Sequence, residues 1–76
     1  MITVRLYGLL RMESGIRECS LDATGMKEVL AHLTELGISP KELKGCVIFV
    51  NGKSADRHRK LQAGDVVQLM SPVAGG

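Results

Sequence analysis

The hydrophobic residues of this chain change from a strand-like to a helix-like spacing, and this change limits the folds that the chain can adopt. Residues 2–7 alternate between apolar and polar side chains, as a strand does when one of its faces is buried. Further along, apolar residues recur every three or four positions, which is typical of an amphipathic helix. The apolar positions of this predicted helix are Met26, Val29, Leu30 and Leu33. The fold must therefore combine strands with a helix.

Both ends of the predicted helix carry signals in the sequence. Thr24 can cap its first turn, and Gly37 lies where a left-handed residue commonly follows the last turn. A second helix is expected soon afterwards, because residues 39–42 read Ser-Pro-Lys-Glu, the pattern of a capping box with Pro in the first turn. An end near Gly45 leaves room for about one turn of this helix.

Two segments predict further strands beside the first one. Residues 16–21 place Cys19 and Leu21 on one face, and we expect them to pair antiparallel with the first strand through a loop over residues 8–15. The continuous apolar run over residues 46–50 is typical of a strand that is buried on both faces.

The last third of the chain contains two turn signals and a final strand. Asn51-Gly52 is the preferred sequence of a type I′ hairpin turn, and residues 53–60 after it form a short polar edge. Gly64-Asp65 predicts a second turn, with Asp65 as a turn residue, before a last strand over residues 66–70. Together the elements predict an α+β domain of two layers, a sheet and the helix that covers it.

Composition argues against several classes of function. The chain has 76 residues, a formal net charge of +2, and one Tyr and one Phe as its aromatic residues. It therefore lacks the basic surface and the stacking platforms that are typical of nucleic-acid-binding proteins. No apolar stretch approaches the roughly 18 residues of a membrane span. We expect one soluble, cytoplasmic domain that binds neither nucleic acid nor membranes.

Reactive groups are few and scattered along the sequence. Cys19 and Cys46 are too far apart for a metal or redox motif, and each lies in an apolar run, where a free cysteine is usually a buried hydrophobe. His32 and His58 have no second ligand at metal spacing. We therefore expect no metal, no bound cofactor and no catalytic machinery of the chain's own. The basic stretch over residues 57–60 is expected to be a solvated edge.

Four segments of the chain resemble the small subunit of molybdopterin synthase: Ile2–Arg11, Val50–Lys53, Leu61–Val67 and Pro72–Gly76. The resemblance extends over essentially the whole chain, with departures where Ser71 replaces a frequent Pro and where Met12 precedes Glu13. This is a family of ubiquitin-like sulfur carriers, related to the sulfur carrier of thiamine biosynthesis. The resemblance implies a β-grasp domain over residues 1–70, with a mixed sheet of about four to five strands packed on one main helix. It also implies that the first and last strands lie side by side and that residues 71–76 form a flexible Gly-Gly tail.

The same resemblance implies a chemistry at the C-terminus. In the family, an enzyme similar to ubiquitin-activating enzymes uses ATP to adenylate the terminal carboxylate, and a sulfur-donating enzyme converts it to a thiocarboxylate. The corresponding carboxylate here belongs to Gly76, and Gly75 has no side chain to obstruct a narrow channel. The tail then enters the large subunit of molybdopterin synthase, so the chain is expected to be the sulfur-donating subunit of a synthase complex.

Residues near the tail are expected to contact these partner proteins. Tyr7 and Met70 should lie on neighbouring strands, where clustered apolar residues tend to mark interfaces, although single apolar residues are also common on ordinary surfaces. Pro72 restricts its own backbone and that of the preceding residue, which directs the tail away from the sheet. The expected partner-binding residues are Tyr7, Met70, Ser71, Pro72, Val73 and Ala74.

Three other functions remain open at this point. The chain could deliver sulfur for thiazole formation in thiamine biosynthesis. It could be a ubiquitin-like modifier that is joined to lysines through Gly76, or an interaction domain without covalent chemistry. Two terminal glycines decide little by themselves, since they arise by chance in about one sequence in 200.

Overall fold

The computed structural model describes residues 1–71 of the chain. In this part of the chain three helices and five strands follow one another, and no helix is long and apolar enough to cross a membrane. The elements in chain order are β1 (Ile2–Tyr7), α1 (Leu9–Ser14), β2 (Glu18–Leu21), α2 (Met26–Glu35), α3 (Pro40–Gly45), β3 (Val47–Val50), β4 (Lys53–Ser54) and β5 (Val66–Met70).

All five strands form one mixed sheet in the order β2-β1-β5-β3-β4. β1 and β5 run parallel to each other at its centre, and the other neighbouring pairs are antiparallel. The first and last strands are therefore neighbours, as the resemblance implied, and β2 pairs with β1 as the alternating pattern predicted. The fold is a ubiquitin-like β-grasp of the α+β class with a five-stranded sheet, which confirms the predicted fold class.

The core lies between the sheet and α2 and consists of apolar side chains. The inward faces of β1 and β5 are buried, as their sequences predicted, whereas Leu30 of α2 is only half-buried. Among residues 1–71 no polar or charged side chain is buried. The burial of apolar surface is thus the main stabilising term. The core residues are Ile2, Val4, Leu6, Leu10, Leu21, Met26, Val29, Leu33, Ile38, Leu43, Cys46, Ile48, Val50, Leu61, Val67 and Leu69.

The connection between β1 and β2 is a helix, α1, rather than the loop that the sequence predicted over residues 8–15. Leu10 is completely buried in the core, and Ser14 Oγ donates a hydrogen bond of 2.6 Å to the Leu10 carbonyl. Gly8 and Gly15 flank α1 with φ angles of 66° and 74°, which glycine adopts without steric cost. The prediction of a loop was wrong because burial of one leucine stabilises a helix too short to show a helical period.

The apolar run that forms β3 is buried on one face only. Ile48 and Val50 point into the core, whereas Phe49 is half-buried and Val47 is 41% exposed. The prediction of a strand buried on both faces was wrong because the face of the sheet opposite α2, here called the outer face, stays accessible. Its side chains are half-buried or exposed on all five strands.

The ends of α2 agree with the sequence at one end and differ at the other. Gly37 has a φ of 101°, and its N–H donates a hydrogen bond of 3.0 Å to the Thr34 carbonyl, which confirms the predicted left-handed end. The N-cap residue is Gly25, so the prediction of Thr24 was wrong by one position. Thr24 instead donates through its N–H and its hydroxyl to the Glu28 carboxylate, at 2.8 and 2.5 Å.

The short helix α3 is closed by an arginine from a distant part of the chain. Ser39 occupies its N-cap position, as predicted, but makes no side-chain capping bond, so the capping box does not form. At the other end, the Arg57 guanidinium donates to the carbonyl of Leu43 at 2.7 Å and to that of Lys44. Arg57 is half-buried, and the prediction of a solvated edge was wrong for this residue. It holds for residues 58–60, which are exposed.

The two predicted turns are present and are joined by Asn51. Asn51 and Gly52 have φ angles of 52° and 82°, positive at both positions as a type I′ turn requires. The Asn51 side chain accepts a hydrogen bond from the Val66 N–H and donates one to Asp65, both at 2.9 Å. Asp65 is therefore a turn residue, as predicted, and it links the turn before β5 to the hairpin turn.

Candidate partner-binding face

Three apolar side chains form a row across the central strands on the outer face of the sheet. Tyr7 at the end of β1 lies opposite Met70 of β5, and Met70 lies opposite Val47 of β3. Tyr7 and Met70 are half-buried, and Val47 is more exposed. The structure thus brings together Tyr7 and Met70, as predicted, and adds Val47 to them.

Next to this row lies a pair of side chains, Phe49 and Gln68, of which Gln68 contacts Tyr7. Phe49 lies opposite Gln68, and Gln68 Nε2 donates a hydrogen bond of 3.2 Å to the Tyr7 hydroxyl. This bond restricts the orientation of the Tyr7 ring. Aromatic residues and methionine are enriched in protein interfaces, so the patch has a composition suited to binding a protein. We call it the candidate face, and it consists of Tyr7, Val47, Phe49, Gln68 and Met70.

The chain leaves the sheet beside the candidate face, at the end of β5. Ser71 follows Met70, and its Oγ accepts a hydrogen bond of 2.8 Å from the Leu9 N–H at the start of α1. Ser71, which the sequence assigned to the tail, therefore contacts the domain; the division of the chain at residue 70 stays a prediction. The other predicted tail residues lie outside the residues that the structure describes: Pro72, Val73, Ala74, Gly75 and Gly76.

A basic concavity of about 360 Å³ borders Tyr7 on the side away from β5. Within it, Arg5 Nε donates a hydrogen bond of 2.9 Å to Glu18, and this bond is the main cause of the raised pKa of Arg5. Arg11 and Arg17 form no ion pair with residues 1–71. Sequence reasoning missed the concavity because its arginines come from separate segments that only the fold brings together. Its lining residues are Arg5, Leu6, Tyr7, Arg11, Arg17 and Glu18.

The two thiols are poorly suited to nucleophilic chemistry. Burial is the main cause of a raised pKa at both Cys19 and Cys46, so both favour the protonated, unreactive form. Cys46 is buried in the core, as the sequence predicted, whereas Cys19 is half-buried and packs against the core. Among residues 1–71 no three His, Cys, Asp or Glu side chains cluster closely enough to hold a metal ion. That the protein uses no metal or bound cofactor stays a prediction.

A β-grasp whose last central strand ends beside an exposed apolar face is the architecture of ubiquitin-like carrier proteins. Within this class, the sequence identifies a particular family, because the model of the ThiS family matches residues 4–76. The chain belongs to the ThiS family, and it is a ubiquitin-like sulfur carrier. The family match includes the terminal residues that follow Ser71.

Solved structures agree with this assignment over nearly their full length. A chain from the complex of subunits 1 and 2 of molybdopterin-converting factor from Helicobacter pylori 26695 is 30% identical, with a TM-score of 0.76 and coverage of 99% of this chain and 97% of that one. SAMP1 from Haloferax volcanii is 22% identical, with a TM-score of 0.81 and coverage of 99% and 98%. Urm1 from Sulfolobus solfataricus is 21% identical, with a TM-score of 0.67 and coverage of 92% and 99%. These last two likenesses concern the fold alone. Comparison with curated protein sequences gave no match.

Proposed function

We propose that this carrier donates sulfur in the biosynthesis of molybdopterin, the molybdenum or tungsten cofactor, as the small subunit of molybdopterin synthase. The observation that carries the proposal is the 30% identity, over 99% of the chain, to a molybdopterin-converting factor. The candidate face supports it, because Tyr7 and Met70 lie at the strand end from which the terminal residues follow. A partner protein can therefore contact the sheet and receive the C-terminus at the same time.

The reacting group in this proposal is the terminal carboxylate of Gly76. A carboxylate is a poor electrophile because its leaving group would be oxide. Adenylation with ATP releases pyrophosphate and gives an acyl adenylate, from which AMP can leave. A sulfur nucleophile supplied by the donor enzyme, formally hydrosulfide, attacks the acyl carbon; AMP departs with the bonding electrons, and the sulfur stays on Gly76 as a thiocarboxylate.

The proposal requires three partner proteins: an adenylyltransferase similar to ubiquitin-activating enzymes, a sulfur-donating enzyme and the large subunit of molybdopterin synthase. In the Helicobacter pylori protein, subunits 1 and 2 of the factor form a complex, which supports a large-subunit partner here. The basic concavity favours partners with acidic side chains opposite Arg11 and Arg17. Since ATP is a substrate of the activating enzyme, we also propose a cytoplasmic location.

Sulfur delivery for thiazole formation in thiamine biosynthesis is the second candidate function. The family model that matches the chain bears the name ThiS, and the sulfur carrier of thiamine biosynthesis is a related family. A modifier function has only the fold in its favour, which the chain shares with the small archaeal modifier protein 1 of Haloferax volcanii.

Deletion of the gene from its own host separates these functions. We expect the deletion to abolish the activity of enzymes that contain molybdenum or tungsten, and a plasmid copy of the full chain to restore it. A matched copy that ends at Gly75 should not restore it. Restoration of growth by thiamine alone would contradict the proposal in favour of the thiazole pathway, and Gly76-dependent isopeptide bonds to other proteins would favour a modifier.

A further inference from the structure

The start of α1 is capped by a side chain from the other end of the domain. The N-cap residue of α1 is Gly8, which has no side chain to make a capping bond. Ser71 Oγ takes this role and accepts the hydrogen bond of 2.8 Å from Leu9 N–H, across 62 positions of sequence. An N-cap hydroxyl satisfies a backbone N–H that has no partner within the helix. The bond therefore stabilises α1 and holds Ser71 at the same time.

Gly8 and Ser71 are fitted to each other. Gly8 has a φ of 66°, a left-handed angle that residues with a side chain adopt at a cost. A Cβ atom at Gly8 would lie far inside van der Waals distance of Ser71 Oγ. The absence of a side chain at position 8 thus leaves the space that the Ser71 hydroxyl occupies. We call the arrangement of Gly8, Leu9 N–H and Ser71 Oγ the Ser71 clasp.

We propose that Ser71 is a positioning residue for the terminal carboxylate, and that the Ser71 clasp fixes the point on the domain from which the last five residues continue. The inference rests on the proposed sulfur-carrier chemistry at Gly76. Any chain of five residues spans at most about 18 Å, so a fixed origin beside Tyr7 and Met70 limits which partner sites the carboxylate can reach.

The clasp acts on binding rather than on the bond-making steps. A residue that is already held in the free carrier does not have to be ordered when the partner binds, so binding does not incur the loss of backbone entropy for that residue. The groups that activate and attack the carboxylate come from the partners in the proposed mechanism. Loss of the clasp should therefore raise KM for the carrier and leave kcat unchanged.

The experiment compares Ser71→Ala with the wild-type chain as substrates of the activating enzyme, by ATP–pyrophosphate exchange. We expect the Ser71→Ala substitution to raise KM about fivefold with an unchanged kcat, as the loss of one hydrogen bond of about 1 kcal/mol would do. Hydrogen exchange at the Leu9 N–H, followed by NMR, should become faster in the same variant. Ser71→Thr keeps the hydroxyl and should restore both values.

Ser14→Ala is the matched control on the same helix. Ser14 Oγ donates to the Leu10 carbonyl and accepts from the Ile16 N–H, at 2.6 and 3.0 Å, at the end of α1 away from Ser71. We expect this variant to be less stable than the wild-type chain but to keep its KM. Gly8→Ala should also break the clasp, because its methyl group would collide with Ser71 Oγ. The decrease in Tm that Gly8→Ala causes should be smaller in the Ser71→Ala background than in the wild-type chain, since no Oγ remains there.

Three results would overturn the positioning role. A KM of Ser71→Ala equal to that of Ser14→Ala would mean that the clasp serves stability alone. A KM of Ser71→Ala below that of the wild-type chain would mean that partners must open the clasp. If the wild-type chain itself is not activated, the proposed function fails and the positioning role fails with it, whereas the exchange rate of the Leu9 N–H still reports whether the clasp forms.

Discussion

Asp65 accepts two hydrogen bonds through different carboxylate oxygens, from the Gln62 N–H and from the Asn51 side-chain amide, each at 2.9 Å. Both bonds favour the charged form, and the bond from Gln62 is the main cause of the lowered pKa of Asp65. The charged carboxylate thereby connects the turn before β5 to the hairpin turn. The position of the last strand depends on this connection, because Val66 N–H also bonds to the Asn51 side chain.

We expect Asp65→Asn to lower Tm at neutral pH, because asparagine has one acceptor oxygen instead of two and no charge. Since the pKa is lower in the folded than in the unfolded chain, the stabilising contribution is present above about pH 4 and is lost as the pH falls through the folded-state pKa. The difference in Tm between variant and wild type should therefore shrink with acidification in calorimetric scans. A Met12→Ala control, at an exposed side chain without a titratable group, should lack this trend; a difference for Asp65→Asn that is the same at every pH would contradict the assignment.

The sequence indicated some residues of the candidate site and not others, for physical reasons. Tyr7 lies in a segment that resembles the family, and the pairing of β1 with β5 places Met70 opposite it. Val47 was missed because a continuous apolar run has no period that distinguishes inward from outward residues. Ser71 was assigned to the tail because its bond to Leu9 joins positions 62 residues apart, and no local pattern reports such a contact.

At the level of secondary structure, α1 depends on a single buried side chain. We expect Leu10→Ala to destabilise the protein by about 2–5 kcal/mol, since it leaves a cavity where a completely buried leucine was. Met12→Ala is the matched control on the same helix, because Met12 is 77% exposed, and it should change stability by less than about 0.5 kcal/mol. Urea unfolding of both variants measures this. Equal stabilities of the two variants would show that α1 does not depend on the core.

The elements that sequence patterns predicted well are those with several turns or a clear alternation. β1 and α2 have enough residues for their periods to be read, and Asn51-Gly52 has a backbone preference strong enough to determine its turn. α1 has six residues, shorter than the window in which a helical period can be recognised. Its formation depends on Leu10 meeting the core and on a cap from Ser71, and both contacts are tertiary.

For the molecule as a whole, the arrangement of layers separates the face of the sheet that packs against α2 from the candidate face. α2 covers one side of the sheet, and the candidate face lies on the other, next to the end of the last strand. The parallel pairing of the first and last strands brings Tyr7 to the position where the terminal residues begin. Under the proposed function, partners recognise this part of the domain before they reach Gly76.

A substitution at Val47 tests whether the candidate face binds a partner protein. We expect Val47→Gln to weaken binding of the large subunit by about fivefold, because binding would then remove a polar amide from water, with little change in Tm. Leu36→Gln is the matched control, because Leu36 is 48% exposed, close to the 41% of Val47, but lies at the end of α2. Isothermal titration calorimetry measures both. A weaker affinity for Leu36→Gln than for Val47→Gln would move the interface to the helical side.

Intact-mass spectrometry of the loaded protein tests whether Gly76 is the group that carries sulfur. The full chain is incubated with ATP, a sulfur source and the activating enzyme of the same cell, with the activity of the enzyme verified by ATP–pyrophosphate exchange. We predict a mass increase equal to the replacement of one oxygen by one sulfur, located on the C-terminal peptide. It should be absent without ATP and in a chain that ends at Gly75, which is shorter by about 3.5 Å of reach. An unchanged mass with the active enzyme, or sulfur bound elsewhere in the chain, would contradict a sulfur-carrying role of Gly76.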